Sequence, residues 1–290
     1  MTHVRFQEFL SNRSAPFVIV LGANEIASAV GARLTQEGCR VVLSHDPYPP
    51  VIRRGMSFHD ALFNDRAEVD GIQGRRGESA LEIVRVLTET GVVAVTSLQL
   101  TDLIALRTPD VLIDARMQKR RMTTNLRNIA NLSIGLGPQF AAGVNCDVAV
   151  ETHPDHAGAL VESGETRPND HVPRYLGGVG RGRFVYSARD GVWRTPLDVG
   201  ARVFKNYLIG LLDGHRVLSP MDGFLRGVAR DGVAVPLNVK LIEIDPRGRA
   251  SCWTGTDEHG RAIADAAYRV IARVARPRCW AARPVSKSYH

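Results

Sequence analysis

Cysteine is scarce in this chain of 290 residues, and Cys39, Cys146, Cys252 and Cys279 stand far apart with no C-x-x-C pair. That spacing fits neither a disulfide framework nor a zinc site, so the four thiols are expected to be reduced and structural. No apolar run approaches the roughly 18 uncharged residues that a membrane helix needs. The first residues, MTHVRFQEFLSNRSAP, set Arg5 and Glu8 among few apolar side chains, so the h-region of a secretory signal is missing. A cytoplasmic protein without membrane contact is expected. Aromatic residues are only 6% of the chain and do not interleave with a basic stripe, which leaves no stacking platform for nucleic acid. Serine nucleophile elbow, P-loop and H-E-x-x-H motifs are missing too, so acyl transfer, nucleotide hydrolysis and zincin chemistry have no support.

What is present is the composition of a globular protein, 44% apolar and 23% charged. The length sits at the upper edge of what one domain usually holds, so two units are expected. The net charge is +7, and four of those units belong to Arg276, Arg278, Arg283 and Lys287, leaving +3 for the body. This basic tail, 276–290, reads as a solvated terminus.

The stretch PFVIVLGANEIASAVGARLTQEGCRVVLSHD has a βαβ layout. An apolar run, Phe17 to Leu21, leads into a turn at Gly22, an amphipathic helix carrying Ile26, Ala27, Val30 and Leu34, a stop at Gly38 and a second apolar run, Val41 to Leu43. Asp46 follows Gly22 by twenty-four residues, near the spacing at which a carboxylate meets the adenosine ribose in dinucleotide folds. A helix N-terminus offers unpaired N–H groups to a pyrophosphate, and glycine lets the backbone approach. Here Asn24 takes the place of the second glycine of G-x-G-x-x-G and Ala27 that of the third. Gly22, Ala23 and Asn24 are therefore either a modified phosphate-binding turn or a tight turn that binds nothing. Further apolar strands and helices alternate to residue 136, which predicts a mostly parallel sheet with helices on both faces. Asp114 and Arg116 end the strand VLIDAR and are candidates for a site at the strand carboxyl ends, or for an ion pair with QKRR, Gln118 to Arg121.

The segment IGLGPQFAAGVNCDVAVETHPDH places Gly135, Gly137 and Gly143 around a proline and then Glu151, His153, Asp155 and His156. Two histidines three apart could ligate a metal, but no distant third ligand is identifiable; a solvated loop is the expected reading, with no metal site. Residues 166–182, rich in glycine, proline and polar side chains, read as a connection between domains.

A repeat lies beyond it. At an offset of thirty-two, Ser187, Asp190, Gly191, Arg194, Gly200, Val203 and Asn206 recur as Ser219, Asp222, Gly223, Arg226, Gly232, Val235 and Asn238. Two copies are too few for a solenoid. Their D-G turns and short strands predict two interleaved β-hairpin units with pseudo-twofold symmetry, resembling the biotinyl/lipoyl-type barrel-sandwich hybrid. Carrier domains of that type present a lysine on the hairpin between the halves. Here that hairpin is LLDGHRVL, with His215 and Arg216, while Lys205 lies elsewhere, so no biotin or lipoate attachment is expected.

The order of motifs resembles a family. The G-A-x-x-[IL]-A turn, PPVIRRGMSF, VLIDAR, GLGPQFAAGVNCDVAVET with a histidine soon after, the barrel-sandwich repeat and IDPRG before a final helix are together similar to the YqeB-type maturation proteins of selenium-dependent molybdenum hydroxylases, over about residues 16 to 275. The resemblance implies an accessory role in maturing a molybdenum hydroxylase, with an N-terminal half like the Rossmann-like domain of XdhC-type chaperones, which handle the molybdenum cofactor before insertion. The family's motifs fall on Arg53, Arg54, Ser57, Phe58, Asp114, Gly135, Gly137, Pro138, Phe140, Gly143, Glu151, His156, Asp245, Pro246 and Arg247. Departures stand at Asn24 and Gln139, where the family pattern has glycine.

The expected architecture is therefore α/β: a Rossmann-like, nucleotide-binding-type domain over 1–165, the linker 166–182, a barrel-sandwich domain over 183–250, a helix over 251–275 packing back, and the tail. The leading functional expectation is an accessory protein whose α/β half holds a phosphate-bearing molecule, the molybdenum cofactor or NAD(P), at Gly22, with Arg53 and Arg54 as charge-assisted donors. The second half would dock a client molybdenum enzyme or a second copy in a homo-oligomer. A rival is an NAD(P)-dependent oxidoreductase, for which Glu151 and His156 are the plausible acid–base pair. A third is a scaffold without nucleotide.

Overall fold

Runs of β-branched and aliphatic residues become the strands of the first half in a computed structural model, which describes residues 7, 9, 11, 15–118, 124–170 and 172–275. In chain order these strands are β1 (Phe17–Leu21), β2 (Arg40–Ser44), β3 (Arg66–Val69), β4 (Ile72–Arg76), β5 (Val92–Thr96), β6 (Val111–Asp114), β7 (Leu132–Leu136), β8 (Ala141–Ala142), β9 (Val148–Val150), β10 (Leu160–Val161) and β11 (Gly164–Glu165). Nine of them form one sheet in the order β10-β9-β7-β6-β1-β2-β5-β4-β3, and β8 pairs with β11 apart from it. The strands from β9 to β4 run parallel, with an antiparallel strand at each edge. Within it, β5-β2-β1-β6-β7-β9 has the 3-2-1-4-5-6 order of doubly wound folds, so the topological switch lies between β1 and β6. The β3–β4 hairpin, turning through Asp70 and Gly71, both at positive φ, adds an edge that the apolar pattern does not announce.

Both faces of the sheet are covered. Val18 and Val20 of β1 pack under helix α1 (Glu25–Gln36), whereas Phe17, Ile19 and Leu21 face the other layer. That layer includes Ile83, Val84 and Leu87 of α3 (Ala80–Leu87); α2 (Ala61–Asn64) and α4 (Leu100–Ile104) are short connecting helices. The last helix, α5 (Glu258–Ala275), returns to the first half and packs Ile263, Ala266 and Ala267 into the same core as Ile26, Ala27 and Val30 of α1. Arg33 of α1 donates to Asp265 of α5 at 2.7 Å and lies over the Tyr268 ring. Burial pushes the Cys39 and Cys146 thiols up to about 11, as suits structural cysteines.

The second half contains β12 (Phe184–Tyr186), β13 (Gly191–Arg194), β14 (Arg202–Val203), β15 (Leu208–Leu212), β16 (His215–Leu218), β17 (Gly223–Val228), β18 (Ala234–Val235) and β19 (Lys240–Asp245). They make two antiparallel sheets, β12-β19-β17-β14 and β16-β15-β13-β18, around a core of Trp193, Val203, Ile209, Leu225, Leu241 and Ile244.

The repeat is realised as an exchange of strands between copies. β14 of the first copy pairs with β17 of the second, Val203 opposite Gly223, and β18 of the second pairs with β13 of the first, Val235 opposite Gly191. The hydrogen bonds repeat with the same offset: Asn206 N donates to Ser219 O as Asn238 N donates to Ser187 O, and Gly200 N to Leu225 O as Gly232 N to Trp193 O. Asn206 and Asn238 both sit at positive φ, 65° and 62°. Each copy thus supplies the partners that the other copy's backbone requires, which is the physical reason the sequence is written twice. The basic tail from Arg276, Cys279 and the stretch Lys119 to Arg121 lie outside the described residues.

Candidate functional site

The two halves enclose a cavity of about 1240 Å³ above the carboxyl ends of β1, β2, β6 and β9. Gly22, Ala23, Asn24, Asp46 and Arg53 all line it, so the structure brings these sequence-predicted residues together. Their chemistry differs from the expectation at the phosphate turn. Asn24 is the N-cap of α1, and its Oδ1 accepts from Ile26 N at 2.9 Å and Ala27 N at 3.0 Å. Its Nδ2 donates to Ala115 O at 2.7 Å, bridging the switch between β1 and β6. Two N–H groups of the first turn, those of Ile26 and Ala27, are thus satisfied internally, and Glu25 adds negative charge there. Gly22 is needed there for another reason: φ is +112° and a Cβ would come within 3.0 Å of Ala115 O. Asp46 accepts from Tyr48 N at 2.9 Å and from Gln118 Nε2 at 2.6 Å, so its oxygens organise the loop after β2.

Glu151 and His156 line the cavity as well, whereas Arg54, Asp114, Gly135 and Gly137 fall outside its lining. Arg54 turns away from it into the junction of the halves, donating to Val228 O at 3.1 Å, to Asp60 at 2.6 Å and to Asp198. It is a fastening between the two units, with each of its three guanidinium nitrogens already engaged. Asp114 is held by Arg116, whose Nη2 lies 2.6 Å from Oδ2, and only the arginine reaches the cavity. Asp245 and Arg247 of the IDPRG motif form the same clip, at 2.7 Å, with Asp245 fully buried. Gly135 is covered by the Phe140 ring, which a Cβ would meet at 2.1 Å, so this glycine serves packing. Gly137, at φ +113°, supplies its carbonyl to Thr166 Oγ1 at 2.6 Å.

Glu151 and His156 do not form an acid–base pair. Glu151 is buried and accepts from Thr152 N at 2.8 Å and His153 N at 2.7 Å on one oxygen and from Arg167 N at 2.8 Å on the other. With its oxygens engaged by three backbone donors it clamps two loops together, while His156 is exposed. His153 is the engaged histidine: Nε2 is 3.3 Å from Asp170 Oδ2 and 2.9 Å from Arg174 Nη2.

Composition reading missed one wall. The stretch read as a linker, 166–182, folds along the cavity and contributes Arg167, Arg174 and Arg181, with Arg183 just beyond it. The density of arginine in TRPND and PRYLGGVGRGR is the signal that could have identified it. Beneath this wall sits Glu243, which is 1% exposed. Arg53 donates to it through Nε at 2.7 Å and Nη2 at 3.1 Å, Arg183 also donates to it, and Arg226 Nε lies 3.4 Å away. Burial alone would raise this carboxyl; Arg53 foremost, with Arg183 and Arg226, reverses the effect and brings it to about 2. Glu25 at 3.2 Å from Arg53 and Asp257 at 2.8 Å from Arg226 complete a charge-balanced network that joins the halves.

No protein-family model matches the chain. Among solved structures, an aspartoacylase family protein from Mesorhizobium loti is 9% identical with a TM-score of 0.25, covering 80% of this chain and 85% of that one. The product-bound ectoine utilization protein EutE from Ruegeria pomeroyi is 11% identical with a TM-score of 0.24, covering 79% and 85%. Likenesses of this size bear on neither fold nor site. The curated protein YqeB of Escherichia coli strain K12, itself described as uncharacterized, is 32% identical over 247 residues, 85% of this chain. This likeness supports the family read from the motifs, and the chain spans 45% of the length of that relative.

Proposed function

We propose that the chain is an accessory protein that holds a phosphate-bearing ligand, a pterin-type molybdenum cofactor or a nucleotide, in the cavity between its halves on behalf of a molybdenum hydroxylase client. The observation that carries the ligand-holding part is the place and size of the cavity. It lies at the carboxyl ends of a doubly wound sheet, where such folds bind ligands, and its 1240 Å³ exceeds the ~300–1,000 Å³ of ordinary small-molecule pockets. Several arginines line it, which suits an anionic ligand. The client rests on the family resemblance. Binding is favoured over turnover because Glu151 is committed to three backbone donors and forms no pair with His156.

We assign the second half to the barrel-sandwich hybrid type, on its two interleaved half-motifs and paired sheets. Its β15–β16 hairpin turns through Asp213 and Gly214 into His215 and offers no amine for a carrier arm, so a docking role fits it best. The first half is correspondingly read as the nucleotide-binding-type, XdhC-like unit.

Purification from the native host under anaerobic conditions, with mass spectrometry of released small molecules and molybdenum analysis, tests the reading. A near-stoichiometric pterin phosphate or nucleotide is expected. Protein that carries neither, and whose melting temperature is unmoved by added NAD(P) or pterin phosphate, would overturn it.

A further inference from the structure

At the start of α1 the Ile26 and Ala27 N–H groups are capped by Asn24, and Glu25 and Asp46 supply negative charge. Arginines line the cavity as well, most of them already neutralised. Arg53, Arg183 and Arg226 share Glu243 with Glu25 and Asp257 nearby, Arg116 is clipped to Asp114, and Arg174 contacts Asp170 at 3.0 Å and Asp155 at 3.4 Å. Arg167 and Arg181 are the exceptions: among the described residues, neither guanidinium has a carboxylate partner, and both line the cavity.

The fold fixes the backbone at Arg167 and the ring beneath Arg181. The backbone N–H of Arg167 is fixed by buried Glu151, and the preceding Thr166 bonds Gly137 O through Oγ1 and Phe140 O through N at 2.9 Å. Arg181 opens the short turn before β12 and lays its guanidinium over the Tyr186 ring, 5.0 Å from the centroid. Arginines with unspent donors offer a phosphate charge-assisted bonds.

We infer that the ligand's phosphate is received by the side chains of Arg167 and Arg181 and not by the N-terminus of α1, where a dinucleotide's pyrophosphate rests in an ordinary doubly wound fold. The inference rests on the cavity being a phosphate-ligand site, as proposed above. It replaces helix N-terminal docking with side-chain docking, which explains how Asn24 can stand where a phosphate-binding glycine is expected.

Calorimetric titration of the full chain with inorganic pyrophosphate tests this, using Arg167→Ala, Arg181→Ala and Asn24→Gly. Both arginines are exposed, so unchanged melting curves are expected to accompany the first two substitutions. Loss of one charge-assisted contact should weaken binding about tenfold or more in each arginine variant and shallow its salt dependence, while Asn24→Gly stays within about twofold. Arginine variants that bind as well as the wild type, with Asn24→Gly altered instead, would overturn docking on the two arginines and leave the ligand-holding reading standing. A wild-type chain that shows no pyrophosphate binding would overturn both.

Discussion

Arg53 and Glu243, 190 residues apart in the chain, form a two-pronged ion pair across the junction of the halves, Nε to Oε2 at 2.7 Å and Nη2 to Oε1 at 3.1 Å. Three arginines converge on this one carboxylate, so removing its charge would leave them facing one another in a buried site.

Glu243→Gln is accordingly expected to cost about 3–5 kcal/mol, the range for breaking a buried pair by deleting one partner. The acid limb should change as well. An unfolded glutamate titrates near about 4.3 and the folded one at about 2, so the unfolded chain binds more protons between those values. The stability from this group is complete above the unfolded value and is lost as pH falls toward about 2. Urea unfolding at neutral pH and down the acid range reads both effects: a lower midpoint and a shallower acid limb in the variant. Equal midpoints at neutral pH would refute the assignment.

Asn24→Asp separates the two bonds of that side chain. Aspartate caps helices as well as asparagine, so acceptance from Ile26 N and Ala27 N should survive. The Nδ2 bond to Ala115 O would be replaced by a carboxylate facing a carbonyl. A loss of about 1–2 kcal/mol is expected from thermal or chemical unfolding, assignable to the bridge between β1 and β6. A variant as stable as the wild type would show that the bridge contributes nothing.

Much of the sheet was legible because the physics is local. The runs FVIVL and RVVL, the helix between them and the stop at Gly38 are read from periodicity and turn chemistry alone, and the thirty-two-residue offset is visible as letters. The β3–β4 hairpin was legible in principle, since Asp70-Gly71 is a type I′ turn signal, but its flanking residues are too polar for an apolar-run criterion. Asn24 could have been read as an N-cap from its residue type. The roles of Arg53 and Arg54 could not, because their partners Glu243 and Asp198 come from distant segments that only the tertiary fold brings near. One hint was Glu243 itself, an ionisable residue inside the apolar strand KLIEID.

The repeat predicts matched energetics. Lys205 N donates to Asp222 Oδ1 at 2.7 Å, and Leu237 N to Asp190 Oδ1 at 2.5 Å, so each aspartate fastens a turn of the opposite copy. Both aspartate contacts are exposed, and each Asp→Ala change is expected to cost about 1 kcal/mol. Because the two sites draw on different strand ends, the double variant should equal the sum within about 0.5 kcal/mol. Denaturant unfolding of the two single variants and the double one checks this. A large loss from one aspartate beside none from the other would contradict their equivalence.

Glu151 and His156 should respond oppositely to substitution. Glu151→Ala would strip the acceptor from Thr152 N, His153 N and Arg167 N at a buried position, and three orphaned donors cost about 3 kcal/mol or more. Release of Arg167 from its anchor should also weaken pyrophosphate binding, even at temperatures where the variant remains folded. His156→Ala removes an exposed ring, and stability should stay within about 0.5 kcal/mol of the wild type. Melting curves and pyrophosphate titrations of the two variants decide the matter. Were His156→Ala to abolish binding while Glu151→Ala left both binding and stability intact, the loop-clamp role of Glu151 would fall and His156 would have to be placed at the ligand.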